Sequence, residues 1–246
     1  MYGIVQEKDG QDVVYGITGD PLYTEISPTG TIVPLKDVRL LAPVIPRSKV
    51  VCVGRNYAAH AAELGNEVPD GALFFLKPNT AVVGPGDPVA IPEYSRELSL
   101  EAELAVVIKR VTKDIAPEDV ADAILGYTCA NDLTARDAQR EEEQWFRAKA
   151  FDTSCPIGPW IETDLDPASL VITSSVDGEV AQDGSTADMV RSVADLVAEI
   201  STVVTLLPGD LILTGSPAGV RTVEAGSSMD ITIEGIGTLS NPVVRR

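Results

Sequence analysis

The chain has 246 residues, 44% hydrophobic and 23% charged, which suits a packed protein of one large domain, or one domain with a small lobe. Nineteen basic against 37 acidic residues leave a net charge of −18, which argues against a nucleic-acid partner and an anionic membrane surface. Three isolated cysteines and the single His60 give no disulfide framework and no zinc set, so a reducing cytoplasm and a carboxylate-held metal are the expectations.

The N-terminal residues lack the apolar core of a signal peptide, and no apolar run approaches the roughly 20 residues of a membrane span. Residues 1–47 read as a small β-rich lobe, with short strands at Val13–Ile17 and Thr31–Leu35. Pro43 and Pro46 mark a linker, and residues 48–246 form the main domain. Lys49–Gly54 is a buried strand. It leads into Arg55-Asn56-Tyr57 and a helical stretch in which His60 and Glu63 share a face at i and i+3. A carboxylate beside an imidazole orients it for general-base work, and 57–71 is a candidate lid. Lys77 ends the apolar run Leu73–Leu76, as a surface charge or a carboxylate binder.

Glu101-Ala102-Glu103 opens the apolar run Leu104–Ile108, which reads as a strand with both glutamates on one face. Two carboxylates at the end of a buried strand repel each other unless a cation sits between them, and a hard divalent ion prefers such oxygens. Asp132 follows another short apolar strand. If the next segment is helical, Asp132, Arg136, Gln139 and Arg140 share a face. Lys149 is flanked by aromatics. Asp177-Gly178 signals a hairpin, 182–186 a polar loop, and Ala187 to about Leu206 a long amphipathic helix. Leu211–Thr214 is a strand ending in Gly215-Ser216-Pro217-Ala218-Gly219.

The ordered set Gly54-Arg55-Asn56-Tyr57 with His60 and Glu63, Leu76-Lys77-Pro78, Glu101-x-Glu103-Leu104, Asp132-Leu133-Thr134-Ala135-Arg136-Asp137, Lys149, and Pro208-Gly209-Asp210 with Thr214-Gly215-Ser216-Pro217 resembles the fumarylacetoacetate hydrolase family over roughly residues 48–244. The resemblance implies a β-rich α+β fold, a mixed β-sheet roll with few helices, and a homodimer. It implies Mg²⁺ or Mn²⁺ on Glu101, Glu103 and Asp132. It also implies a catalytic dyad of His60 and Glu63 working with Lys149, and substrate contacts from Arg55, Lys77, Arg136, Gln139 and Thr214. Ser99-Leu100 and Ser216 depart from the commoner family residues, which leaves the substrate open.

The implied substrate is a small anionic 2-oxo acid. The first expectation is a C–C hydrolase of the acylpyruvate or fumarylpyruvate type, with oxaloacetate decarboxylation as an added activity. The alternative is a 2-hydroxyhepta-2,4-diene-1,7-dioate isomerase of aromatic catabolism. A third, of another class, is a metal-stabilised binding protein without turnover.

Overall fold

The computed structural model describes residues 2–245. The chain divides into two compact units, Met1–Leu40 and Leu41–Arg246. In the first, β1 (Tyr2–Lys8), β2 (Gln11–Thr18) and β3 (Ser27–Pro34) pair antiparallel in that order. Asp9 and Gly10 close the β1–β2 turn, both at positive φ, where these residue types are tolerated. The strands read at 13–17 and 31–35 are β2 and β3. β1 escaped the sequence reading because it buries almost nothing, so no alternation marks it.

The second unit begins with β4 (Val50–Gly54), α1 (Ala58–Glu63), β5 (Leu73–Lys77), β6 (Val82–Val83), β7 (Val89–Ile91), β8 (Leu98–Leu100) and β9 (Ala102–Ile108). It continues with β10 (Ile124–Asn131), β11 (Thr134–Ala135), α2 (Arg136–Glu141), α3 (Phe146–Lys149), β12 (Cys155–Glu162), β13 (Val171–Val176) and β14 (Glu179–Ser185). It closes with α4 (Val193–Val203), β15 (Leu211–Leu213), β16 (Arg221–Val223), β17 (Ser228–Ile233) and β18 (Gly237–Arg245). Seven strands form a mixed sheet in the order β5-β4-β15-β9-β10-β12-β6, five a second in the order β14-β13-β17-β18-β7, and β11-β8-β16 a small third. The β-rich mixed-sheet expectation is what the chain folds into.

β9 lies in the middle of the larger sheet and every one of its residues is buried. Ala102, Leu104, Val106 and Ile108 point into the main apolar cluster, with Ile212, Ile231, Ile233, Leu196 and Ile200. Each fully buried Leu or Ile contributes roughly 1.5–3 kcal/mol. That fixes the register, because a one-residue slip would turn the whole set outward. The same period of two sends Glu103 to the opposite face. β4 and β15 run parallel, and β9 runs antiparallel to β15. The C-terminal ends of β4 and β15 therefore lie beside the N-terminal end of β9.

Three local expectations need correction. The helix expected from Ala187 starts only at Val193, where Ser192 and Asp195 form a capping box. Before it, Val190 N–H donates to the Asn56 carbonyl at 2.8 Å and Arg191 N–H to Asn56 Oδ1 at 2.9 Å, which holds that segment out of a helix. Residues 182–185, expected in a loop, belong to β14. Gln182 faces inward and is fully buried, its polarity satisfied by four hydrogen bonds of its side chain. Asp132 lies outside α2, which begins at Arg136 after the bridge-forming pair of β11. The hairpin at Asp177-Gly178 forms as read, both residues at positive φ.

Candidate active site

Glu101 falls in the break between β8 and β9, and two backbone bonds pin it there. Its N–H donates to Asn131 Oδ1 at 2.9 Å, and its carbonyl accepts from Asp132 N–H at 2.9 Å. The second bond places Asp132 directly against the glutamate pair. Glu103 Oε2 accepts from Gly215 N–H at 2.6 Å, at the end of β15. One ligand atom from each of Glu101, Glu103 and Asp132 lies within 4.8 Å of the others. All three residues are at most 4% exposed.

Three cations stand against these three anions. Lys149 Nζ lies 2.7 Å from Glu101 Oε2 and 2.5 Å from Asp132 Oδ2. Arg136 donates to Glu101 Oε1, and its other terminal nitrogen donates to Gln139 Oε1 at 2.8 Å. Lys77 Nζ lies 2.8 Å from Asp132 Oδ1, off the hydrogen-bonding direction, so that oxygen is buried without a hydrogen bond. Burial alone would raise both glutamates. The charges of Arg136, Lys149 and His60 overcome this at Glu101 and hold it well below the ordinary carboxylate range. At Glu103 burial is reinforced by Asp132 and Glu101, and its carboxyl is pushed up. Burial lowers Lys149, but Asp132 and Glu101 outweigh it, so the ammonium is stabilised.

The cluster suits one hard cation. Oxygens bound to a single Mg²⁺, Mn²⁺ or Ca²⁺ at about 2.0–2.6 Å can stand no farther apart than about 4–5 Å, which the three carboxylates satisfy. The Asp132 oxygen without a hydrogen bond and the mutual repulsion felt by Glu103 are both relieved by positive charge at that point.

α1 covers the cluster. His60 Nδ1 lies 3.2 Å from Glu63 Oε2, and His60 Nε2 lies 3.8 Å from Glu101 Oε1. Glu63 also accepts from Gly219 N–H at 3.0 Å. The imidazole is thus held on one side by its helix partner and presents its other nitrogen to the carboxylates. The segment after α1 is tethered: Arg191 donates to the carbonyls of Pro69, at 3.2 Å, and Asp70, at 2.5 Å. A cavity of about 480 Å³ opens here, lined by His60, Glu63, the three carboxylates and Lys149, with Phe75 and Trp145 as an edge-to-face aromatic wall.

A family model described as fumarylacetoacetate (FAA) hydrolase C-terminal matches residues 49–244. The chain belongs to the fumarylacetoacetate hydrolase family. A second model, described as Rv2993c-like, N-terminal, matches residues 1–43. Protein Rv2993c of Mycobacterium tuberculosis is 53% identical, over 99% of this chain and 91% of its own length. The oxaloacetate tautomerase fahd2 of Xenopus laevis mitochondria is 41% identical, over 85% of this chain and 69% of its own. A crystal structure described as 2-hydroxyhepta-2,4-diene-1,7-dioate isomerase from Mycobacterium marinum superposes with a TM-score of 0.90 at 48% identity, covering 98% of this chain and 92% of that one. One of fumarylpyruvate hydrolase from Pseudomonas aeruginosa with Mn²⁺ and pyruvate gives 0.77 at 37% identity, covering 82% and 91%.

Within this family site the structure brings together most of the residues singled out in the sequence. Arg55, His60, Glu63, Arg136, Gln139 and Lys149 all line the cavity beside the three carboxylates. Lys77 and Thr214, expected at the substrate, do not. Lys77 is 1% exposed, and in addition to its ion pair with Asp132 it donates hydrogen bonds to the carbonyls of Leu133, Lys149 and Ser154, so it braces Asp132 from behind. The Thr214 hydroxyl is fully buried and donates to the Leu104 carbonyl at 2.9 Å. The hydroxyl that reaches the cavity is Ser216, two residues on. Gln182 Nε2 donates to Ser216 Oγ at 2.7 Å, which leaves the serine proton free to donate into the cavity. Sequence reading missed Asn131, Gln182 and Trp145. Neutral amides and a lone indole carry no spacing signal.

No helix among the described residues is long and apolar enough to cross a membrane.

Proposed function

We propose that this chain moves a proton at the carbon beside the carbonyl of a small 2-oxo acid, interconverting keto and enol forms or shifting a conjugated double bond. The observation that carries this reading is the single imidazole at the cluster, with Nδ1 on Glu63 and Nε2 turned to Glu101. His60 Nε2 takes the proton from carbon and returns it to a neighbouring position. Glu63 holds Nδ1–H and stabilises the imidazolium while the proton is on the ring. Lys149 and Arg136 supply fixed positive charge to the oxyanion that develops, and the Ser216 hydroxyl donates to a substrate oxygen. A Mg²⁺ or Mn²⁺ held by Glu101, Glu103 and Asp132 would supply Lewis-acid polarisation of the substrate oxygens. The similarity to oxaloacetate tautomerases and to the dienedioate isomerase structure supports this proton-transfer chemistry.

A second reading is hydrolysis of the C–C bond of an acylpyruvate, with the same dyad activating a water. It is favoured by the similarity to the fumarylpyruvate hydrolase structure. One experiment separates the two. Oxaloacetate and acetylpyruvate are incubated in D₂O with the protein and Mn²⁺, with and without EDTA. Proton NMR follows exchange at the carbon next to the carbonyl, and a coupled assay follows pyruvate. EDTA-sensitive exchange without pyruvate, lost in His60→Ala, is the expected result. Stoichiometric pyruvate from acetylpyruvate would establish the hydrolase. A His60→Ala variant with wild-type rates would remove the dyad from the mechanism.

A further inference from the structure

A second cavity, of about 370 Å³, shares no lining residue with the first. It lies among the end of β7, the turn that follows it, β16 and the end of β18. Its floor is apolar, with Ile91 2% and Val223 3% exposed. Two guanidiniums, of Arg96 and Arg245, line it together with the Thr222 hydroxyl. None of these three side chains has an ion pair or hydrogen bond among the described residues. Glu224, the one acid of the lining, pairs with neither arginine.

An exposed arginine by itself needs no partner, and both of these reach solvent. The telling observation is their convergence. Two like charges on one concave surface repel each other unless an anion comes between them. Acids outnumber bases 37 to 19 in this chain, yet this cavity gathers two cations against one acid. The apolar floor beneath them focuses the field in the cleft.

Neither arginine stands on a loose segment. β18 runs parallel to β7, and Arg245 is paired with Ile91 in that ladder. Arg96 N–H donates to Asp137 Oδ2 at 2.8 Å, and Ser95 Oγ donates to Asp137 Oδ1 at 2.7 Å. The backbone under both side chains is preset, so a ligand has only to order their tips. The same turn brackets α2. The Glu97 carbonyl accepts from Arg136 N–H at 2.8 Å, and the Glu97 carboxylate pairs with Arg140. On the other wall, Thr222 is paired with Ser99 of β8, two residues before Glu101. Both walls thus lead directly to side chains of the first cavity.

We infer that this second cavity is a binding site for a small phosphate monoester, and that its occupancy is felt at the carboxylate cluster. A phosphoryl group offers enough oxygens to take a fork from each guanidinium and the Thr222 O–H. The volume exceeds what a bare phosphate fills and falls within the range of small-molecule sites. Glu224 is then the acceptor for a hydroxyl of the organic part.

The test is calorimetric, on the full chain, with glycerol 3-phosphate and inorganic phosphate as probes. The metal-free wild type should bind glycerol 3-phosphate more tightly than inorganic phosphate. Arg96→Gln and Arg245→Gln should each weaken the ester by about tenfold or more, the loss of a charge-assisted contact. Arg96→Lys and Arg245→Lys should fall between. Arg55→Gln, in the first cavity, should leave this binding unchanged. The replaced arginine side chains hold nothing in the fold, so these variants should melt with the wild type, which separates a lost ligand contact from a lost structure. With Mg²⁺ loaded, and too dilute to complex the ester, its affinity should shift by about fivefold or more, as linked sites require. Three results would overturn the site: neither probe binds, binding is lost in Arg55→Gln instead, or inorganic phosphate binds as tightly as the ester. Equal affinity with and without Mg²⁺ would overturn the link to the cluster.

Discussion

The same pair of parallel strands carries a buried acid–base assembly at each end, and the two are built to opposite plans. At the N-terminal ends of β4 and β15, Asp210 is fully buried against Lys49. Its carboxylate takes the Lys49 ammonium at 2.5 Å, Lys49 N–H at 3.1 Å and Leu207 N–H at 2.9 Å. One anion meets one cation, both of its oxygens are bonded, and neither residue lines the cavity at the opposite end. At the C-terminal ends, three carboxylates crowd within 4.8 Å, one oxygen has no hydrogen bond, and a cavity opens onto them. Burial does not by itself distinguish structure from function. Closure does: a buried charge whose every partner is internal holds the fold, and one left incomplete waits for a ligand.

Breaking each assembly should therefore have opposite signatures. The largest effect belongs to Glu103→Gln. Changes around a metal's ligands typically cost 10–100-fold in affinity, so loss of a ligand should weaken Mn²⁺ binding beyond about 100-fold and take activity with it. Calorimetric titration reads the first and turnover the second. The variant should melt no lower than wild type without metal, because it removes a carboxyl whose ionised form burial, Asp132 and Glu101 all disfavour. Wild-type Mn²⁺ affinity in this variant would sink the metal assignment.

Asp210→Asn should do the reverse. It leaves Lys49 without its counter-charge, so stability should fall by about 3–5 kcal/mol in urea titration, while the folded protein keeps its Mn²⁺ affinity. If metal binding weakens instead, the two ends are not independent and the contrast fails.

Gln182→Leu tests the link between the sheets. It strips partners from Ala102 N–H, Ser174 Oγ and Ser216 Oγ. Leaving buried groups unsatisfied costs about 1–3 kcal/mol. With Ser216 no longer oriented, KM should rise more than kcat falls. Unaltered kinetics in a destabilised variant would make Gln182 purely structural.

The smallest effect concerns Asp137, a closed carboxylate like Asp210 but nearer the surface. Burial pushes its carboxyl up, but bonds from Arg96 N–H, Ser95 Oγ and Ala138 N–H outweigh this and hold it below the ordinary value. The unfolded chain therefore takes up this proton first as pH falls. The contribution is complete above the ordinary carboxyl range and lost on acidification through the lowered folded value. Asp137→Asn should be less stable than wild type at neutral pH, and the gap should close in acid denaturation profiles. A constant gap would show that the bonds stabilise without linkage to protons.

Much of this was already written in one dimension. The alternation after Glu103 fixed β9, its register and the face on which Glu103 stands. The i, i+3 spacing set His60 against Glu63. Asp177-Gly178 specified its hairpin, because the turn depends only on two residues that accept positive φ. These are local rules, and periodicity carries them. The sequence could not tell Lys77 from a surface lysine or Thr214 from a substrate contact, because both answers depend on what packs behind the strand end. It could not separate Glu101 from Glu103 either, although one is held ionised and the other pushed up. That difference comes from Arg136 and Lys149, 35 and 46–48 residues away in the chain. Nor could it start α4 at Val193, since Asn56 competes for the backbone just before it from 135 residues away. Sequence determines what can be settled within a few residues. Tertiary structure decided which charges are closed and which remain open, because the field at a buried group is the sum over neighbours that only the fold brings near.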